Sequence, residues 1–209
     1  MPDESELVDR LKKGDHDVLG TLFSLHRDRL WQIVHFRLDP RLRGRVDADD
    51  VLQDAFIAAT QRLQHFLDGE WTVFVWLRLI VNQTLVDTHR QHLGAQARDA
   101  SRERSLQQKP AGPNTTASLV IQLLDKMASP SQMMQKAELA DRLEDALNQM
   151  DSIDQEVLAL RHFEELTNSE VSEVLGIQPK AASIRYVRAI KRLKQALSSL
   201  PGFQDSQWS

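Results

Sequence analysis

The chain has 209 residues, of which 41% are hydrophobic and 27% charged, with 26 Lys and Arg against 30 Asp and Glu and a formal net charge of −4. This length holds one domain or two small ones, the composition suits a soluble protein with a core, and the negative balance argues against indiscriminate nucleic-acid binding. The chain has no cysteine, which excludes disulfides and thiolate chemistry and is compatible with a cytoplasmic location.

Glycine and proline are few and strand-like alternation is scarce, so an all-α fold is expected. The acidic, polar start, MPDESELVDR, predicts no secretory signal. The longest apolar run, Trp71 to Val86, is interrupted by Arg78 and Asn82 and is too short to span a bilayer.

Residues 4 to 13 read as a short amphipathic helix with Leu7, Val8 and Leu11 inward. A longer helix is expected from Asp17 to Leu38, with Leu19, Leu22, Phe23, Leu30, Ile33, Val34 and Phe36 as its stripe and Asp39-Pro40 as its stop. After a polar loop containing Gly44, Asp47 is placed to cap a helix from Ala48 to Gln64. Val51, Leu52, Ala55, Phe56, Ala59 and Leu63 line one side of it; Asp47, Asp50, Gln53 and Asp54 lie on or near the other. Carboxylates favour a helix N-terminus through its dipole. They also make an acidic face for a basic partner.

His65 to Glu70 is predicted as a loop, followed by a helix from Trp71 or Thr72 to about His92. Trp71 and Trp76 are five residues apart and cannot share one stripe. An exposed tryptophan beside Arg78 and Arg90 would provide a stacking platform for unpaired bases; a core position for both is the alternative. Asn82 on this apolar helix is either a link to backbone or a reader of bases, because a buried amide needs hydrogen bonds. His89 and His92 lack a third ligand, so no metal site is expected.

Residues 94 to 135 are polar, carry Pro110, Gly112 and Pro113, and read as a flexible linker in which Leu119 to Met127 can form a short docking helix. A helix is then expected from Gln132 to about Met150, and another capped by Ser152 with Gln155 completing a capping box. Thr167 and Glu170 form a second capping-box pattern. Gly176 marks the end of that helix and Pro179 the start of the next.

Charge is strongly segregated along this half. From Glu138 to Glu173 eleven acidic residues face only Arg142 and Arg161, whereas Gly176 to Leu200 holds six basic residues and no acidic one. A helix–turn–helix whose second helix is basic has the shape and charge that enter a DNA major groove.

Three stretches carry a family resemblance: DADDVLQDAF, WTVFVWLRLIVNQTLVDTHR, and the C-terminal run ending in IRYVRAIKRLKQAL. Together they resemble a bacterial sigma-70 family RNA polymerase sigma factor of the extracytoplasmic-function type. The resemblance implies two small helical domains, a sigma-2-like bundle over 4–94 and a sigma-4-like helix–turn–helix over 132–200. A linker over 95–131, with a short helix at 119–127, joins them, and 201–209 is a tail.

By the same resemblance, the acidic helix with Asp47, Asp50, Gln53 and Asp54 docks on the polymerase beta-prime subunit. His65, Phe66, Asp68, Trp71, Trp76, Arg78, Asn82 and Arg90 melt and read the −10 promoter element. Lys180, Ser183, Arg185, Tyr186, Arg188, Lys191 and Arg192 read the −35 element. The implied partners are core RNA polymerase, through its beta-prime and beta subunits, promoter DNA and a restraining anti-sigma factor; no cofactor, no catalysis and no membrane insertion are implied. The start of the recognition helix departs from the family, with Gln178, Lys180, Ala181 and Ala182 where a small polar cap, a glycine and a Thr-Val pair are usual. The linker is also long for the family.

Two other readings compete. A stand-alone helix–turn–helix regulator would bind duplex operator DNA by itself. A helical enzyme using Asp47, Asp50 and Asp54 lacks the Glu-x-x-His pairs of a dimetal bundle.

Overall fold

A computed structural model describes residues 3–93, 115–127 and 136–198 of the chain. All regular elements among the described residues are helices, and the chain divides into two compact units, Met1–Leu106 and Gln107–Ser209. Most of the expected linker and the expected tail, 201–209, lie outside the described residues.

The first unit holds α1 (Glu4–Lys12), α2 (Val18–Arg37), α3 (Ala48–Gln61), α4 (Leu63–Leu67) and α5 (Val73–Leu93). Helix α1 lays Leu7 and Leu11 on α2, and α2, α3 and α5 pack against one another. Their shared core is built from Leu22, Leu30, Ile33, Ala55, Ala59, Trp76, Leu77 and Val81. From Val73 to Leu77 every side chain of α5 is buried, as in a helix apolar on all sides of its first turn.

Helix α2 stops where Leu38 turns extended ahead of Asp39-Pro40. Asp39 is buried there, and its carboxylate accepts from the backbone N–H, Nε and Nη2 of Arg41. Its own N–H donates to His89 Nε2 at 3.3 Å, which ties the end of α2 to α5. The Arg41 hydrogen bond holds Asp39 below the ordinary carboxylate range, and burial pushes His89 below the ordinary imidazole value. His89 Nε2 is thus engaged as an acceptor, and no group of three or more potential metal ligands occurs among the described residues.

In the first unit, the stretch after α3 differs from the sequence expectation. Helix α3 ends at Gln61 instead of Gln64, because Arg62 leaves the helical region (φ −109°, ψ 17°) and the chain restarts as α4. The segment expected as a loop from His65 is therefore helical through Leu67. This turn buries Phe66 against Trp76, with ring centroids 4.9 Å apart.

The second unit holds α6 (Thr115–Met127), α7 (Lys136–Asn148), α8 (Ser152–Leu158), α9 (Asn168–Leu175) and α10 (Pro179–Ser198). A π-helical turn, Ala159–Phe163, extends α8. Helix α6 begins four residues before the expected Leu119. Leu119 and Leu123 are fully buried, Thr115 Oγ1 donates to Glu156 Oε2 at 2.9 Å, and Thr116 Oγ1 donates to Gln155 Oε1 at 2.7 Å.

Gln155 is buried and does not complete a cap. Its Nε2 donates to the carbonyls of Leu147 and Met150, satisfying acceptors at the end of α7. Ser152 is accordingly the first residue of α8 rather than its cap; Asp151 occupies the cap position without a side-chain capping hydrogen bond.

Candidate nucleic-acid interface

Local signals set the turn between α9 and α10. Glu170 N–H donates to Thr167 Oγ1 at 3.2 Å and Thr167 N–H donates to Glu170 Oε2 at 2.7 Å, so the capping box is complete. Gly176 follows α9 in the left-handed region (φ 64°, ψ 34°), which glycine enters without a Cβ penalty. Pro179 then opens α10, where a missing N–H is harmless.

Helix α10 presents three faces. Ala182, Ala189 and Leu193 are buried and seat the helix on α8 and α9; the two alanines permit close approach. On one flank, Arg185, Arg188 and Arg192 converge on Asp154 of α8, whose side chain has 0% exposure. Arg185 Nη1 donates to Asp154 Oδ1 at 2.8 Å, and Arg188 donates through Nε to Oδ2 and through Nη2 to Oδ1, each at 2.8 Å. Arg192 Nη1 lies 3.8 Å from the same carboxylate. Burial pushes Asp154 up, but the hydrogen bonds from Arg188 and Arg185 outweigh it and hold the carboxyl below its ordinary value.

The third face points to solvent. Lys180, Ile184, Val187 and Lys191 follow one another at helical spacing, and Ile184 and Val187 are 58% and 64% exposed. Ser183 is half-buried beside this row. Tyr186, also half-buried, lies on the other flank with the Arg161 guanidinium 5.3 Å from its ring centroid.

In the first unit the predicted −10 residues divide into a buried and a surface set. Phe66, Trp76 and Arg78 are buried. His65, Asp68 and Arg90 are exposed; Asp68 accepts from Gln64 Nε2, and Arg90 lies 3.7 Å from Asp87. Trp71 and Asn82 are half-buried. The Trp71 indole rests on Gly69, so closely that a Cβ there would lie 2.5 Å from the ring.

On α3, Asp47 accepts from Asp49 N–H at 3.1 Å and is the helix cap, while Asp50, Gln53 and Asp54 are exposed. Asp49 pairs with Arg27 of α2. Trp31 and His35, stacked at 5.1 Å, border the same cleft as Asp47 and Asp50.

Sequence reasoning missed Asp154, Ile184, Val187 and Trp31. The available signals were an aliphatic pair inside a basic helix and a tryptophan outside the α2 stripe.

A sigma-70 region 4 family model matches residues 140–193, which span α8, the capped turn and α10 through Leu193. The chain is 23% identical to the ECF RNA polymerase sigma factor SigW of Bacillus subtilis over 92% of this chain and 96% of that protein. It is 26% identical to the RNA polymerase sigma-H factor of Pseudomonas aeruginosa over 94% of this chain and 95% of that one. The chain is similar to the sigma-70 family. Its similarity to the extracytoplasmic-function sigma factors runs through both units of the fold. Among solved structures, CnrH in complex with the cytosolic domain of CnrY matches over 92% of this chain and 96% of that one at 22% identity, with a TM-score of 0.49.

Proposed function

We propose that this protein is a promoter-specificity subunit of the sigma-70 family, which binds bacterial core RNA polymerase and directs it to −10 and −35 promoter elements. The observation that carries the reading is the coincidence of the region 4 match with a capped helix–turn–helix whose second helix has six basic residues and no acidic one. The protein supplies binding energy and sequence choice, acts in the cytoplasm and catalyses no reaction of its own. An anti-sigma factor is a fitting restraining partner for such a subunit.

The C-terminal unit reads duplex −35 DNA through the solvent face of α10. Lys180 and Lys191 meet phosphates or base edges at either end of the face, and Ser183 lies beside it. Arg185, Arg188 and Arg192 are oriented by Asp154 and offer their remaining N–H groups to backbone phosphate, a contact that sets register. Tyr186 and Arg161 brace the helix on the opposite flank.

The N-terminal unit handles melted −10 DNA. His65, Asp68, Trp71, Asn82 and Arg90 are its contact residues, with Trp71 as the stacking surface. Phe66, Trp76 and Arg78 are buried in the same unit and act as supporting residues. Asp50, Gln53 and Asp54 form the docking face for the beta-prime subunit, and Asp47 secures the helix that carries them; the C-terminal unit engages the beta subunit.

The test is gel filtration of the purified full chain with bacterial core polymerase, followed by transcription from a promoter library. Co-elution and selective initiation are expected. Failure to associate, with tight binding of duplex DNA by the protein alone, would instead identify a stand-alone regulator.

A further inference from the structure

The exposed aliphatic pair on α10 has no role in the packing of the fold. Ile184 and Val187 are each more than half exposed, on a helix whose buried face is already complete with Ala182, Ala189 and Leu193. They sit in one row with Lys180 and Lys191, so any surface they meet is apolar at its centre and anionic at both ends. A protein partner with such a pattern needs carboxylates flanking an apolar patch. The DNA major groove has it everywhere that thymine occurs, because the thymine C5-methyl is the apolar group on a groove floor walled by phosphates.

The alternatives within the groove fit less well. An aliphatic side chain against a guanine, cytosine or adenine edge strips water from a donor or acceptor and returns no hydrogen bond. Guanine is read best by a free arginine fork, yet Arg188 has its Nε and Nη2 on Asp154 and Arg185 has its Nη1 there. Ile184 and Val187 are three residues apart, roughly 4.5 Å along the helix axis. That distance covers one to two base-pair steps of about 3.4 Å.

We infer that Ile184 and Val187 are specificity residues which select thymines, one or two steps apart, in the −35 element through their C5-methyl groups. The inference rests on the −35 role proposed above and adds the identity of the bases read. Thymine on either strand satisfies it, since the methyl faces the same groove from both.

The experiment uses holoenzyme reconstituted from the full chain and core polymerase, on the promoter selected from a library. Each −35 thymine is replaced in turn by deoxyuridine, which removes the methyl and keeps the base pair. At two positions open-complex formation should fall about fourfold, as expected for one buried methyl. Ile184→Ala should abolish that sensitivity at one position and Val187→Ala at the other, because both side chains lie outside the packed core. Equal activity on thymine and deoxyuridine templates overturns the inference while leaving the sigma reading intact. So does a loss of core-polymerase association in the two variants without any effect of deoxyuridine, which would assign the face to a protein. Absence of any −35 preference overturns both readings together.

Discussion

Asp154 on α8 and Arg188 on α10 form a two-pronged ion pair, Nε to Oδ2 and Nη2 to Oδ1, each at 2.8 Å, around a carboxylate that has no exposed surface. A carboxylate withdrawn from water needs such partners, since an unpaired buried charge is strongly unfavourable. The pair joins α8 to α10, across the helix–turn–helix from α9. It also sets which edge of each arginine faces outward.

Asp154→Ala should destabilise the C-terminal unit by about 2 kcal/mol, the scale of hydrogen bonds to a charged group. The loss stays at that level because Arg185 and Arg188 are partly exposed and regain water. Hydrogen exchange of the α10 amides checks this: protection should drop across α8 to α10 and stay unchanged in α2, α3 and α5.

The pH response should separate the two units. Asp154 is held below its ordinary value of 3.8, so its contribution is complete above that pH and is lost only as pH falls through the lower folded value. His89 is held below 6.5, so the unfolded chain takes up its proton first and the first unit loses stability as pH falls below 6.5 toward the folded value. Urea melts between pH 7 and 5 should show a decline in the first unit that is flattened by His89→Gln. The contribution of Asp154 should not change over that range.

The two ends of α9 are independent stability levers. Thr167→Ala removes the hydroxyl that accepts from Glu170 N–H and should cost about 1 kcal/mol. Gly176→Ala places a side chain at φ 64° and should cost about 1–2 kcal/mol. Denaturant midpoints of the single and double variants should show near-additive losses.

The acidic residues of α3 should part into structural and docking roles. Asp47→Ala should lower stability by about 1 kcal/mol through loss of the cap to Asp49 N–H. Asp54→Lys, at an exposed position, should leave helicity unchanged and weaken association with core polymerase. Circular dichroism together with gel filtration on core enzyme distinguishes the two outcomes.

The tryptophans of the first unit should behave in opposite ways. Trp76→Ala opens a cavity in the core and should cost about 3–5 kcal/mol. Trp71→Ala should leave the melting curve nearly in place and reduce promoter opening, read as permanganate reactivity of unpaired thymines.

The sequence exposed those features whose causes are local. The box at Thr167 and Glu170, the left-handed Gly176 and the opening Pro179 each act within a few residues, so the boundaries of α9 and α10 were legible. Asp154 was not. It is one of eleven acidic residues in its stretch, and its partners lie 31 and 34 positions away, so nothing nearby marks it as buried. Trp71 and Trp76 could be separated only in part, because spacing shows that they differ without showing which is inside. The break at Arg62 has no glycine or proline to announce it and follows from the packing of Phe66 on Trp76. Gln155 looked like half of a capping box because its tertiary partners, Leu147, Met150 and Thr116, lie on other elements or between them.

The most direct measurement is run-off transcription by core polymerase with and without this chain, on a library-selected promoter and on the same promoter with its −35 element scrambled. Initiation that depends on the chain and falls on the scrambled template is the expected result. Equal initiation from both templates, or no initiation in the presence of the chain, would contradict its assignment as a promoter-specificity subunit that reads −35 DNA through α10.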